Sequence, residues 1–587
     1  MRMFHLLVLC LCILGGSIGC KKSDDGLKVY NIASTSEVKG MDPIYAGDLY
    51  SSEEVGRVYE GLLEYHYLKR PYILVPNLAQ EMPQVSRDGL TYTFKIKKGV
   101  LFQDNECFQN SKGRELVAED FVYSLKRLAD PKLQSLGWWL LDGRIAGLNE
   151  WRDKHANLDV VNYDEVVEGI KTIDSHTVQF KLVKPYPQFL YALAMPFTFV
   201  VAKEAVEYYK KEFLNHPVGT GPFQLSVFTQ SNTIVYFKNP TFRDKFFPSD
   251  VDFTLANSEL SKDAGKKLPL VDKIVVNIMI ESQPRWLVFQ KGDLDYISIP
   301  KDNFDTAVTP NKELAPDLLA KGIRLEITPQ LDVTYIAFNH DLPIFKNVRL
   351  RRALSLAYDV NKSNTLFYND TALPAQSVVP PGIAGHIPNF VNGFRGPDIE
   401  LAKKELQEAG YPDGKGLPEI TYDITASTVS MQMADFFKAR MAEVGVNIKV
   451  RTNSWPELEN RIQNRTVMMW GIAWGADYPD AENFLQLLYG ANKTPGPNGS
   501  GYSNPEFDRM YKEASVMQDS PERTAIYENM NKLIASEMPW IFGVHRQQFS
   551  LKQSWLKNFI PSDFTTGRCQ YVNIDKSEKE NLVKSKF

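Results

Sequence analysis

The chain reads as an α/β protein of two or three domains, and three observations predict it. Its 587 residues exceed what one hydrophobic core supports. Stretches that alternate apolar and polar side chains interleave with stretches of helical period along the whole length. The helix Met433 to Val444 stops at Gly445 and gives way to the strand positions Val446, Ile448 and Val450, which makes a helix-then-strand unit. No internal repeat or long low-complexity linker breaks these patterns, so the domains are expected to pack tightly.

At the N-terminus, Met1-Arg2-Met3 precede an apolar run from Leu6 to Leu14, then Gly15, Gly16, Ser17, Gly19 and Cys20. This order is an export signal, residues 1–19, too short for the roughly 20 apolar residues a bilayer crossing needs. The segment resembles a lipoprotein signal in which Cys20 becomes the acylated N-terminus and residues 20–26 a polar tether. An ordinary signal ending near Cys20 is the alternative. The predicted location is therefore periplasmic or cell-surface, anchored to a membrane by lipid through Cys20. A second apolar run, Phe189 to Val201, contains Pro196 and is read as core.

A net charge of -4 with Lys, Arg, Asp and Glu well mixed argues against a nucleic-acid partner, which would require a basic face. Aromatics make up 12% of the chain, with 27 Tyr and 9 Trp, enough for large cores or for a wide ring-lined pocket. Of five cysteines, only Cys107 and Cys569 lie in the body, and pairing and free thiols both stay open. The scattered histidines form no metal-ligand spacing, so no metal and no cofactor are expected.

In chain order, the strand Leu90 to Lys97 places Tyr92, Phe94 and Ile96 on one face, and Phe121, Leu125 and Leu128 mark a helix stopped by Asp130-Pro131. His176 to Leu182 alternates as a strand. In Pro217-Val218-Gly219-Thr220-Gly221-Pro222-Phe223 the two glycines allow a tight turn, and without a following Lys-Ser/Thr it is no phosphate loop. The strand Tyr335 to Asn339 leads to Asn347, a helix cap, and to Arg349, Arg351 and Arg352, read as a solvated face. Leu401 to Pro412 is a short amphipathic helix ended by Gly410 and Pro412.

The Arg87-Asp88-Gly89 turn, the helix entry Val117 to Val122, the Gly219 to Phe223 turn and the segments that follow it resemble, in the same order, family 5 extracellular solute-binding proteins, the peptide-binding receptors of ABC importers. The resemblance spans nearly the whole mature chain. It implies a two-lobed periplasmic binding protein of class II type, with a hinge between the lobes and a third, small domain. Lobe I would comprise 27–70, 185–328 and 547–587, the small domain 71–184, and lobe II 329–546. Cys107 and Cys569 would then lie in neighbouring domains, which permits a disulfide without establishing one.

In Trp470-Gly471-Ile472-Ala473-Trp474-Gly475-Ala476-Asp477-Tyr478-Pro479-Asp480, an apolar strand ends in an aromatic, two small residues and a carboxylate. A lone acid among apolar residues suits a cation that must offset its own desolvation. The segment resembles the family's Trp-x-x-Asp stretch, which implies that Asp477 pairs with a peptide's amino terminus while Trp474 and Tyr478 line the pocket. Without the resemblance, Asp477 is a turn cap and Trp474 is core; Asp480 is the competing acid. Gly471 stands where some oligopeptide receptors carry an arginine for the peptide carboxylate.

The implied function is capture of extended oligopeptides through main-chain hydrogen bonds, with closure of the lobes and delivery to an ABC permease and its ATPase subunits. The chain is expected to act as a monomer. Gly471 keeps open a non-peptide solute such as a nickel chelate, haem or an oligosaccharide. An exported hydrolase is the third reading, but Gly-x-Ser-x-Gly and His-Glu-x-x-His are absent from the sequence, so a binding protein is expected rather than an enzyme. Asn498 to Gly501 reads as a flexible turn.

Overall fold

The computed structural model describes residues 26–585 except 39, 230–231, 251–259, 495, 563 and 565. The leader, the tether to residue 25 and Cys20 therefore lie outside the described residues. Among the described residues no helix is long and apolar enough to cross a membrane.

Helices and strands alternate as expected, and among the described residues the four sheets of three or more strands organise them. A four-stranded sheet runs in the order Val29–Ser34, Lys273–Ile278, Thr233–Lys238, Phe223–Thr229, its first pair parallel. Beside it, Gln547–Gln553 sits between Tyr296–Ser298 and Ile323–Pro329. A five-stranded sheet orders Ile448–Asn453, Ile420–Thr425, Met469–Gly475, Asp332–Phe338 and Trp540–Phe542. The fourth, entirely antiparallel, orders Gln84–Val85, Thr91–Lys95, Thr177–Lys181 and Ile170–Asp174. Tyr92, Phe94 and Ile96 are buried on its inner face, against the helix Ala118–Ala129 that carries Phe121, Leu125 and Leu128. The run from Phe189 to Val201 is largely core.

Distant parts of the chain meet on Asp295. Its buried carboxylate accepts from Asn31 N at 2.6 Å, Trp555 Nε1 at 2.7 Å and Lys579 Nζ at 2.8 Å. Asp295 N also donates to Asn31 O, and Gln553 N to Asp295 O. One acid thus ties the first strand, the middle and the C-terminal helix Lys576–Ser585 into one body.

Two segments connect that body to the five-stranded sheet. Ile323–Pro329 passes through Gln330 and Leu331 into Asp332–Phe338, and Trp540–Phe542 returns through Val544-His545 to Gln547–Gln553. They run side by side. Gln330 N donates to Arg546 O at 2.8 Å, and the buried Asp332 accepts from Arg546 N at 2.9 Å and from Arg546 Nε. His545 Nδ1 donates to Asp332 O at 2.6 Å, and burial lowers this ring to about 4, so it is neutral near pH 7.

Two sequence readings change. Gly219 and Gly221 are needed for close approach rather than for turn freedom: a Cβ on either would lie 2.1 and 2.5 Å from Val58 O, the acceptor of Gly221 N. The arginines after Asn347 are not one solvated face. Arg351 is buried and donates to the carbonyls of Phe345, Glu537 and Met538, because helix ends leave carbonyls without partners. Arg352 donates to Ser536 O and lies 4.0 Å over the Phe394 ring, while Arg349 meets Glu405 and Glu408. Asn347 caps its helix through Arg349 N as expected.

Asp295→Ala is expected to destabilise the protein by roughly 2–4 kcal/mol, since three donors lose a charged acceptor and the buried ones regain no water. Equilibrium urea unfolding checks this; an unchanged midpoint would show that the carboxylate does not bind this body together.

Candidate functional site

Strand Met469–Gly475 builds one wall of a cleft of about 610 Å³. Because side chains alternate along a strand, Trp470, Ile472 and Trp474 share a face, and all three line the cleft. On the neighbouring strand Tyr335 lies opposite Ile472, and Trp540 stacks on Tyr335 at 3.7 Å between ring centres, 9° from parallel. The wall is mostly aromatic. It also presents a backbone edge: Ile420–Thr425 pairs with Met469 and Trp470, and among the described residues Gly471 to Gly475 have a strand partner only on the Asp332–Phe338 side.

Just past this strand, Asp477 lines the same cleft. Its position is set by Asn483, which is fully buried. Asn483 Nδ2 donates to Asp477 Oδ2 at 3.0 Å, while Asn483 Oδ1 accepts from Trp474 Nε1 at 3.0 Å and from Asp477 N at 3.1 Å. One amide therefore fixes both Trp474 and Asp477. It brings no positive charge. Burial pushes the Asp477 carboxyl above its ordinary range and the Asn483 hydrogen bond draws it part of the way back. Among the described residues no cation pairs with it, so the acid is oriented and left without a counter-charge.

The other acid is committed elsewhere. Asp480 is buried, its Oδ2 takes Arg523 Nη2 at 2.7 Å, and its Oδ1 takes Glu482 N at 2.9 Å. The capping role that the sequence leaves open for Asp477 thus falls to Asp480. Tyr478 is buried too, and is not among the residues that line the cleft. Its hydroxyl donates to Glu482 Oε2 at 2.7 Å, and its ring stacks on Tyr191 at 5.5 Å, which braces the turn from behind. A Cβ at Gly471 would lie 2.5 Å from the Tyr422 hydroxyl, so a side chain there requires that buried ring to shift.

Cys107 and Cys569 are both free. The bridge left open by the sequence does not form: Cys569 is buried and takes a hydrogen bond from Arg57, whereas Cys107 lies near Glu204 and burial lifts it to about 11. Asn498 to Gly501 is no loose turn. Asn498 is fully buried and its side chain bonds Tyr489 O, Tyr502 O, Ser500 Oγ and Gly501 N, which fixes Gly499 and Ser500 at the cleft.

Residues from far earlier in the chain face this wall. Trp139, 45% exposed, and Arg144 line the cleft from the segment beside the fourth sheet. The sequence reading missed Asn483, Trp470, Tyr335, Trp540 and this opposing pair. The alternation of Trp470 with Trp474 was a usable signal; Asn483 and Arg144 carried none.

The family model for bacterial extracellular solute-binding proteins, family 5, matches residues 74–496. The chain belongs to this family. The solute-binding protein is 26% identical over 560 residues to the dipeptide-binding protein of Escherichia coli, covering 92% of this chain and 94% of that one. It is likewise 26% identical over 566 residues to heme-binding protein A of Haemophilus influenzae, covering 94% and 93%. Among solved structures, the periplasmic binding protein DppA of Helicobacter pylori, associated with an ABC transporter and in complex with the peptide STSA, superposes with a TM-score of 0.69 at 24% identity, covering 93% of this chain and 98% of that one. The solute-binding protein thus has the two-lobed α/β fold.

Because folded Asp477 holds its proton more tightly than the unfolded chain does, ionising it costs the native state stability. The cost grows as pH rises from the unfolded value, about 3.9, through the raised folded value, and is constant above it. Asp477→Asn is therefore expected to raise the melting temperature of the ligand-free solute-binding protein at pH 7, with the gain shrinking as pH falls toward about 4. Scanning calorimetry across this range checks it. A gain independent of pH would mean that the substitution relieves something other than the carboxylate's charge.

Proposed function

We propose that this protein captures extended peptides by their free amino end and delivers them to the membrane permease of an ABC importer. The observation that carries the reading is Asp477, oriented by Asn483 and without a cation, beside the open backbone edge of Gly471 to Gly475. A peptide ammonium taken out of water is stabilised by a charge-assisted hydrogen bond to this carboxylate. Its main chain adds to the open edge as a further strand, an interaction indifferent to side chains. Trp470, Trp474, Tyr335 and Trp540 then offer ring faces, which accept varied side chains.

Closure about the paired crossings at Asp332 and Arg546 buries the ligand and presents a new surface to the permease, whose ATPase subunits supply the energy. On this reading the protein acts without catalysis. The peptide-binding relatives support it. Strand membership of the sheets is consistent with lobe I at 27–70, 185–328 and 547–587 and lobe II at 329–546. The protein is held to its membrane by a lipid on Cys20 and works as a monomer.

A mixed pool of short peptides is expected to raise the melting temperature, with stabilisation of about 2.7 kcal/mol at a hundredfold excess over Kd. Asp477→Asn, or acetylation of the peptide amine, should abolish most of the shift. Equal shifts for free and acetylated peptides would refute the amino-end reading. For the anchor, Cys20→Ala is expected to move the protein from the membrane to the soluble fraction; membrane retention by the variant would exclude lipid attachment there.

A further inference from the structure

The cleft carries a second acid that the amino-end reading does not use. Helix Trp455–Gln463 presents Glu459, Ile462 and Gln463 to the cleft, at i, i+3 and i+4 on one face. This face meets the aromatic wall at Gly499, where a Cβ would lie 2.8 Å from Ile462 Cγ2 and 3.6 Å from Trp470 Cζ2. Glu459 therefore sits one helical turn from the point where helix and indole come together. Glu459 is exposed and makes no ion pair or hydrogen bond among the described residues. The cations around it have other partners. Arg461 on the same helix meets Asp423 at 3.4 Å, and Arg465 meets Asp341. Arg144 on the opposite wall lies 4.0 Å over the Tyr186 ring, with Glu482 in electrostatic reach.

The wall beside this acid is made of the rings that attract cations most strongly. Trp470, Trp474 and Trp540 all line the cleft, and an indole face carries the negative lobe of the ring quadrupole. Tyr335, stacked on Trp540, is more than nine-tenths buried, and its hydroxyl makes no hydrogen bond among the described residues, so an acceptor for an N–H donor is left unused at the floor. We propose that the cleft selects peptides bearing a lysine or arginine side chain, whose cation lies between Glu459 and the indole faces while Asp477 takes the terminal ammonium. The rings by themselves accept varied side chains; the unpaired acid adds a preference among them. A neutral aliphatic or aromatic side chain would bury against the same rings and leave Glu459 without a counter-charge.

The inference rests on the peptide reading above, and one titration separates the two. Alanine tripeptides carrying lysine, or the uncharged norleucine, at position 1, 2 or 3 are titrated calorimetrically into the wild type and Glu459→Gln. At one position the wild type is expected to bind the lysine peptide about 5- to 20-fold more tightly than its norleucine counterpart, with the advantage shrinking as salt screens the exposed acid. Glu459→Gln should remove most of that advantage by weakening the lysine peptide, and Glu459→Asp should keep part of it. The wild-type comparison of lysine with norleucine needs no variant to fold. Equal affinities at all three positions, tighter binding of norleucine, or a lysine preference that survives Glu459→Gln would overturn the Glu459 assignment and leave the peptide reading standing. If no tripeptide binds the wild type, both fall.

Discussion

The cleft depends on a single buried amide that orients a carboxylate without neutralising it. The Asn483 side chain bonds both the backbone N–H and the carboxylate of Asp477, and also accepts from the Trp474 ring. An arginine or lysine in its place would also fix the acid, but it would neutralise the charge that the amide leaves unpaired. The amide costs little and leaves the electrostatic demand intact. Asp480 shows the contrasting arrangement a few residues on, where Arg523 pairs fully with a buried acid and leaves it nothing to offer.

Everything else in the site follows from keeping that demand in one place. The strand that leads to Asp477 pairs with Ile420–Thr425 only at Met469 and Trp470 among the described residues, so on the proposed reading its edge over Gly471 to Gly475 offers main-chain partners beside the acid. Tyr335 and Trp540 stack into a rigid surface beneath it. Tyr478 braces the turn from behind by stacking on Tyr191, a residue of the opposing body, so the turn's geometry depends on how the two bodies meet. The paired crossings at Asp332 and Arg546 connect those bodies.

Asp477 and Trp474 were singled out because their stretch resembles the family's Trp-x-x-Asp motif; from the residues alone a turn cap and a core ring stayed open, and the structure places both on the cleft. Tyr478 shared the motif but not the cleft: the turn directs its ring inward, where Glu482 takes its hydroxyl. Arg351 looked solvated because helical spacing alone does not reveal a second helix end waiting for donors, and Glu537 and Met538 lie far along the chain. Gly219 and Gly221 looked like turn residues, yet they are required by the carbonyl of Val58.

The sequence by itself determined the fold class, the order of the elements and the acid at the end of the central strand, because those depend on periodicity and on short-range chemistry. It did not determine which charges remain unpaired. Whether Asp477, Asp480, Arg144 or Cys569 keeps or loses a partner is settled by side chains brought together from distant segments. Only the packed chain fixes those distances, and Coulomb and hydrogen-bond energies depend on separation in space rather than along the backbone.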